Sequence, residues 1–308
     1  MLVLSLPQPG RADPEEDEMW ESNAELKPME RVSSFRKIAL GTWSAPRDPQ
    51  IYGTLSVRME AALDYLEAYR AATGRRLTIT HLVGKAAARA LAALPEANAV
   101  LRFGRPYLRE RVSVFFSVAT EDPETGAIDL SGAKLDDVDR ASLDAIVDGL
   151  DREVSRVRSG TDEDLKASRD TFRRLPALAS RALLDAIAFG LFDLNLDLRR
   201  LGLPKDPFGS VIVTNIGSLG LTEAYAPLMA YSRTPLLLAV GAAVDAPVVE
   251  DGALKVGKVM RIHATLDHRL LDGKHAAILA RVIRETLEDP FTHLGAIPGR
   301  EAAAEAAQ

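Results

Sequence analysis

The segment Ala264-Thr-Leu-Asp-His-Arg-Leu-Leu-Asp-Gly273 holds the residues best suited to chemistry. Val259 to Leu266 reads as a strand, and Asp272-Gly273 turn the chain into a helix, Lys274 to Leu287, closed by Glu288-Asp289-Pro290. An imidazole at a strand end is held by the backbone and can face a cleft. Neutral near pH 7, His268 can accept a proton from a thiol or hydroxyl. Asp272 falls at the helix N-terminus, where its carboxylate can cap backbone N–H groups at the positive end of the dipole. A histidine near a turn can equally be structural, and spacing alone does not separate the two.

Other chemistries find less support. His263 and His268, five apart in a strand, point to opposite faces, and His275 lies in the next helix. No metal site is expected from them, and there is no HExxH. His81 and His293 read as surface or capping residues. Thr214 ends the strand Ser210 to Thr214, and Asn215 with Gly217 reads as the turn after it. No GxGxxG or GxxxxGK[ST] pattern occurs. The chain has no cysteine, which excludes disulfides, thiolate metal sites and a cysteine nucleophile.

The elements that must position these residues follow from periodicity. Ile51 to Met59, Arg111 to Thr120 and Pro235 to Val244 read as strands, and Ala61 to Thr73 and Ser142 to Arg158 as helices. Thr80 reads as the N-cap of a helix from His81 to Leu94. Residues 161–205 read as helical, with Leu184, Ile187, Leu191, Leu194, Leu198 and Leu201 on one stripe. Residues 1–30 read as an extended or disordered arm, with an acidic run at Glu15 to Glu18. This mixed order points to α+β or α/β sandwich layers. A net charge of −6 offers no basic face for nucleic acid. No stretch approaches the length of a spanning helix and no signal peptide is visible, so a cytoplasmic protein is expected.

Several ordered motifs resemble one family. Asp267-His-Arg-Leu-Leu-Asp-Gly273 is similar to the DHRxxDG signature of dihydrolipoyl acyltransferase catalytic domains of 2-oxoacid dehydrogenase complexes. Its shorter HxxxDG form is shared with chloramphenicol acetyltransferase. Phe208-Gly-Ser-Val-Ile-Val-Thr-Asn-Ile-Gly-Ser-Leu-Gly220 resembles the family's GxxxISNLGxxG segment. Arg233 to Gly241 and Pro247 to Gly252 follow at the family's spacing, Ser34-Phe-Arg-Lys-Ile38 resembles the opening of its catalytic domain, and Leu94-Pro-Glu-Ala-Asn98 its FPxxN helix end.

The resemblance implies an α/β two-layer sandwich of the chloramphenicol acetyltransferase type, a mixed sheet with helices on one face, over residues 31–290. It implies acyl transfer between a coenzyme A thioester and a lipoyl thiol, a hydroxyl or an amine. His268 would be the base and Thr214 the hydroxyl donor to the oxyanion. Asp272 would pair with Arg36, with Asn215 and Gly273 as further support. Acyl-CoA is the expected substrate, with no metal. The expected assembly is a homotrimer whose sites lie between subunits, or a larger 24-subunit particle. A catalytically silent scaffold or cage protein is the alternative.

Four departures stand out. No lipoyl domain or Ala/Pro linker is visible in this sequence, so a lipoyl group is expected to come from another protein. The family's G-L-V-V-P-V strand is replaced by Gly126-Ala-Ile-Asp-Leu-Ser-Gly132. Residues 165–207 are longer and more apolar than the family's helical segment, which favours a role in subunit packing over covering the site, docking a partner or touching a membrane. The tail 291–308 lacks the apolar ending that closes family cages.

Overall fold

Alternation of buried and exposed side chains builds the sheet. In β1 (Gln50–Arg58), Leu55 and Val57 are buried while Thr54 and Ser56 are exposed. The computed structural model describes residues 49–121, 128–158, 177–295 and 297. The arm, Arg36 and the tail from 298 lie outside these residues, as does 165–176 of the expected insertion.

The helices after β1 are α1 (Glu60–Thr73) and α2 (Ile79–Ala93). A small hairpin, β2 (Ala99–Arg102) and β3 (Arg105–Leu108), precedes β4 (Val114–Glu121) and β5 (Ile128–Leu135). Helices α3 (Leu143–Arg158) and α4 (Ala177–Ala188) lead to β6 (Val211–Asn215) and β7 (Leu236–Val240). Then come β8 (Val244–Glu250), β9 (Ala253–Asp267), α5 (Gly273–Glu288) and the short α6 (Pro290–His293). Among the described residues the main sheet has seven strands in the order β1-β9-β7-β6-β4-β5, with β8 also on β9. β6 runs parallel to β4 and β7, and β9 antiparallel to β1, β7 and β8, so the sheet is mixed.

One face of the sheet packs on α1, α2, α3 and α5. Val57, Val114, Val213, Leu238 and Ile262 meet Tyr65, Leu82, Ile146, Leu279 and Ile283 there. Each large aliphatic side chain buried this way contributes about 1.5–3 kcal/mol. On the other face Ile212, Leu237 and Ala239 pack under Phe208, Leu228 and Met229. The strap 221–232 is tied across that face: Thr265 Oγ1 donates to the Ala226 carbonyl at 2.7 Å, and the Leu228 N–H donates to Gln50 Oε1 at 2.8 Å.

Several elements differ from the sequence reading. Helix α2 starts two residues early, with Thr78 as N-cap and His81 closing its capping box. Thr78 precedes an apolar residue that already belongs to the helix, which the polar Thr80 disguised. The run Pro235 to Val244 divides into β7 and β8, because the backbone at 241–243 turns to meet Leu221 and Arg261. β9 extends back to Ala253 to pair with β8. The stripe through 184–201 does not stay helical. At Phe189–Asp193 the helix widens into a π-turn, with the Leu194 N–H donating to the Phe189 carbonyl at 2.9 Å. Leu191 is buried there, but Leu194 and Leu201 are exposed. The replaced segment forms β5 from Ile128, paired with β4.

Candidate active site

β9 ends at Asp267 and the chain reverses at once. Asp267 accepts from the Leu270 and Leu271 N–H groups through its carbonyl, at 3.0 and 2.9 Å, and its carboxylate holds the Arg269 guanidinium. The His268 N–H donates to the Pro49 carbonyl at 2.8 Å, which pins the backbone to the start of β1. The His268 ring is set by Leu271: Nδ1 lies 2.9 Å from the Leu271 carbonyl. A carbonyl only accepts, so Nδ1 carries a proton, and in the neutral ring the lone pair is then on Nε2. The side chain is exposed. The turn thus presents an imidazole whose Nε2 is turned away from its anchor.

Asp272 serves the helix rather than His268. It is the N-cap of α5, accepting from the Lys274 and His275 N–H groups at 2.9 and 3.1 Å. The His275 ring closes the capping box. The N–H of His275, then its imidazole, hold the Asp272 carboxyl below the usual carboxylate range. The expected partner Arg36 lies outside the described residues. Gly273 is the first residue of α5, and a Cβ there would meet nothing within 4 Å. Space at that position therefore does not require glycine.

Thr214 lies half-buried in β6, between Ser117 of β4 and Ala239 of β7. It shares a face with Ile212, the face turned from the helices. The next residue fixes the turn. Asn215 Nδ2 donates to Thr80 Oγ1 at 2.8 Å, and its Oδ1 accepts from the Ser218 N–H at 3.0 Å. The left-handed residue here is Gly220, at φ +79, rather than Asn215 or Gly217. Gly217 is required by space instead, because a Cβ would lie 2.6 Å from Ala242 N. Thr80 is a partner the sequence reading missed, having been read as a cap; nothing in its local pattern links it to residue 215.

Within one chain Thr214 and His268 do not meet. Thr214 is level with Ala239, which is level with His263 of β9. From His263 the strand runs four residues, about 13 Å, to Asp267, and two strands of sidestep add nearly 10 Å, on the order of strand geometry. His263 itself is buried and holds the strap: Nε2 donates to the Thr222 carbonyl at 3.2 Å, and Nδ1 hydrogen-bonds with Thr54 Oγ1 at 3.1 Å. Thr54 in turn meets the Tyr225 hydroxyl. Among the described residues no group of three His, Cys, Asp or Glu side chains could hold a metal ion. Nor is any helix long and apolar enough to cross a membrane.

This architecture is that of the catalytic cores of dihydrolipoamide acetyltransferases. The cubic core of the pyruvate dehydrogenase multienzyme complex superposes with TM-score 0.59 at 19% identity, covering 80% of this chain and 85% of that one. The Azotobacter vinelandii dihydrolipoamide acetyltransferase gives 0.59 at 18% identity, covering 88% and 95%. The chain belongs to the family described as 2-oxoacid dehydrogenases acyltransferase (catalytic domain), which matches residues 28–172 and 205–294. A curated relative, the dihydrolipoyllysine-residue acetyltransferase component of the acetoin cleaving system of Bacillus subtilis (strain 168), is 24% identical over 217 residues, 70% of this chain. That match covers 43% of the Bacillus protein, so the chain spans less than half the length of this relative.

Proposed function

We propose that the chain is a coenzyme A-dependent acyltransferase. His268 Nε2 takes the proton from an attacking thiol, hydroxyl or amine, which adds to the carbonyl of an acyl thioester. The Thr214 hydroxyl donates to the oxyanion that forms, a contribution of about 3 kcal/mol for such a donor. Collapse breaks the C–S bond and expels the thiolate, which takes the proton from the imidazolium and leaves as the thiol. The observation that carries this reading is the 2.9 Å contact of Nδ1 with the Leu271 carbonyl, because it leaves Nε2 as acceptor on an exposed turn. The Azotobacter enzyme was studied for the roles of a serine, a histidine and an asparagine in its catalytic mechanism. Thr214, His268 and Asp272 offer a hydroxyl, an imidazole and a short polar group of the same kinds.

The separation of Thr214 and His268 supports a site completed by a second copy. A closed assembly of identical subunits supplies each His268 with a neighbour's Thr214, and a homotrimer is the form proposed here. The relative at the centre of the pyruvate dehydrogenase complex forms a cubic core, and a 24-subunit particle is the larger form of the same proposal. A dihydrolipoyl group on another protein is the proposed acceptor.

The test is release of free coenzyme A from acetyl-CoA with dihydrolipoamide as acceptor. His268→Ala lowers the rate by about 10²–10⁴. Equal turnover in parent and variant overturns the assignment. A parent that neither binds coenzyme A nor turns over fits a silent scaffold instead.

A further inference from the structure

An elongated apolar cavity of about 210 Å³ lies between the sheet and α5. Small residues create it. Gly53 and Ala264 face each other across β1 and β9, and Ala276 and Ala280 stand one helical turn apart on α5. A Cβ built on Gly53 meets nothing within 4 Å. Along β9 the wall runs from Leu266 to Ile262, about 13 Å by strand rise, and along α5 from Ala276 to Ile283, about 10 Å by helix rise. The cavity is therefore a slot parallel to β9.

Its position matters as much as its size. The Leu266–Ala276 end lies at the turn that carries His268, which follows the last residue of β9, Asp267. The lining is aliphatic apart from Thr54, whose hydroxyl is engaged by His263 and Tyr225. A polar or charged head would meet no partner inside. The slot is partly open to solvent beside Gly53, Ala276 and Ala280, and its apolar lining favours an apolar guest. A void of about 150 Å³ accommodates benzene, so this slot has room for about eight carbons.

We propose that this slot is an acyl-chain site, and that the thioester taken by this protein carries a hydrocarbon chain of about six to ten carbons rather than an acetyl group. The carbonyl stays at the His268 turn while the chain extends beside β9. The choice of a thioester as source rests on the acyl-transfer reading; the affinity of the slot for a hydrocarbon chain does not.

The experiment compares octanoyl-CoA, acetyl-CoA and free octanoate, by calorimetry and by turnover, in the parent and in two slot-filling variants, Gly53→Val and Ala280→Leu. Thermal melts establish that each variant is folded. Octanoyl-CoA is expected to bind the parent at least tenfold more tightly than acetyl-CoA, since each buried methylene adds to affinity. In both folded variants the octanoyl-to-acetyl ratio of kcat/KM falls at least tenfold, and octanoate binding is lost. Equal binding of the two thioesters by the parent, or an unchanged ratio in both folded variants, overturns the proposal. Octanoate binding lost on filling, without turnover of any thioester, upholds the slot and overturns the acyl-transfer reading. Acetyl-CoA turnover that depends on His268 but shows no chain-length preference does the reverse.

Discussion

Thr214 and His268 stand at opposite ends of the same sheet. Thr214 is level with His263 through Ala239, and His268 lies beyond the far end of the strand that His263 shares. The parallel pairing of β6 with β7 and the antiparallel run of β9 dictate this. A hydroxyl and an imidazole so placed do not reach the same reacting carbonyl within one chain.

The turn after Thr214 is packed without slack. In Gly217→Ala the added methyl would meet the Ala242 backbone, which cannot rotate away as a side chain would. The variant is expected to melt lower than the parent by about 1–3 kcal/mol of stability and to lose turnover. Stability from denaturant unfolding together with initial rates checks this; parent-like values in both would show that the turn has room.

His81 makes the fold sensitive to mild acid. Burial pushes its imidazole down from 6.5 to about 4, against the favourable charge of Asp151 and with the opposing charge of Arg76. The folded state therefore resists a proton that the unfolded chain accepts. The contribution is fully present above pH 6.5 and is lost as pH falls through about 4. The total is about 3 kcal/mol. In His81→Leu the decline between these pH values should flatten, as read from urea midpoints at each pH. An identical slope in parent and variant would assign the decline to other groups.

Asp272 offers a way to separate support from chemistry. Its carboxylate caps α5, and the His275 N–H holds it charged at lower pH than an ordinary carboxylate. The capping contribution is present above the ordinary carboxylate range and fades as pH falls through the lowered value. Asp272→Ala should lower the melting temperature by a few degrees, whereas Asp272→Asn, an equally good cap, should retain both melting temperature and kcat near neutral pH. A large drop in kcat with a parent-like melting temperature in Asp272→Asn would mean that the charge itself takes part.

Much of this architecture was legible in the residues. β1, α1, α3 and α5 announce themselves by periodicity and by Asp272 at a helix start. The His268 segment and the Thr214 strand were legible as motifs. What was not legible depends on contacts between distant segments. Leu271 holds His268 through its backbone, which no side-chain type reveals. Thr80 reaches Asn215 across 135 residues. The strap over His263 is irregular chain whose path is fixed by Thr54, Thr265 and Gln50 from strands distant in sequence. The break of helicity after Ala188 reflects Asp193, buried to meet Arg233 and the Phe103 N–H, and not any change in the leucine spacing.

The most direct measurement mixes two inactive variants. His268→Ala and Thr214→Ala are each unfolded, combined in equal amounts and refolded together, and acyl transfer is compared with each variant refolded alone. If each site takes Thr214 from one subunit and His268 from its neighbour, random mixing restores both residues at about one quarter of the sites, and activity rises toward that fraction of the parent's. If the mixture, shown by mass spectrometry to contain both chains in the same particles, is no more active than the separate variants, the two residues do not form a shared site.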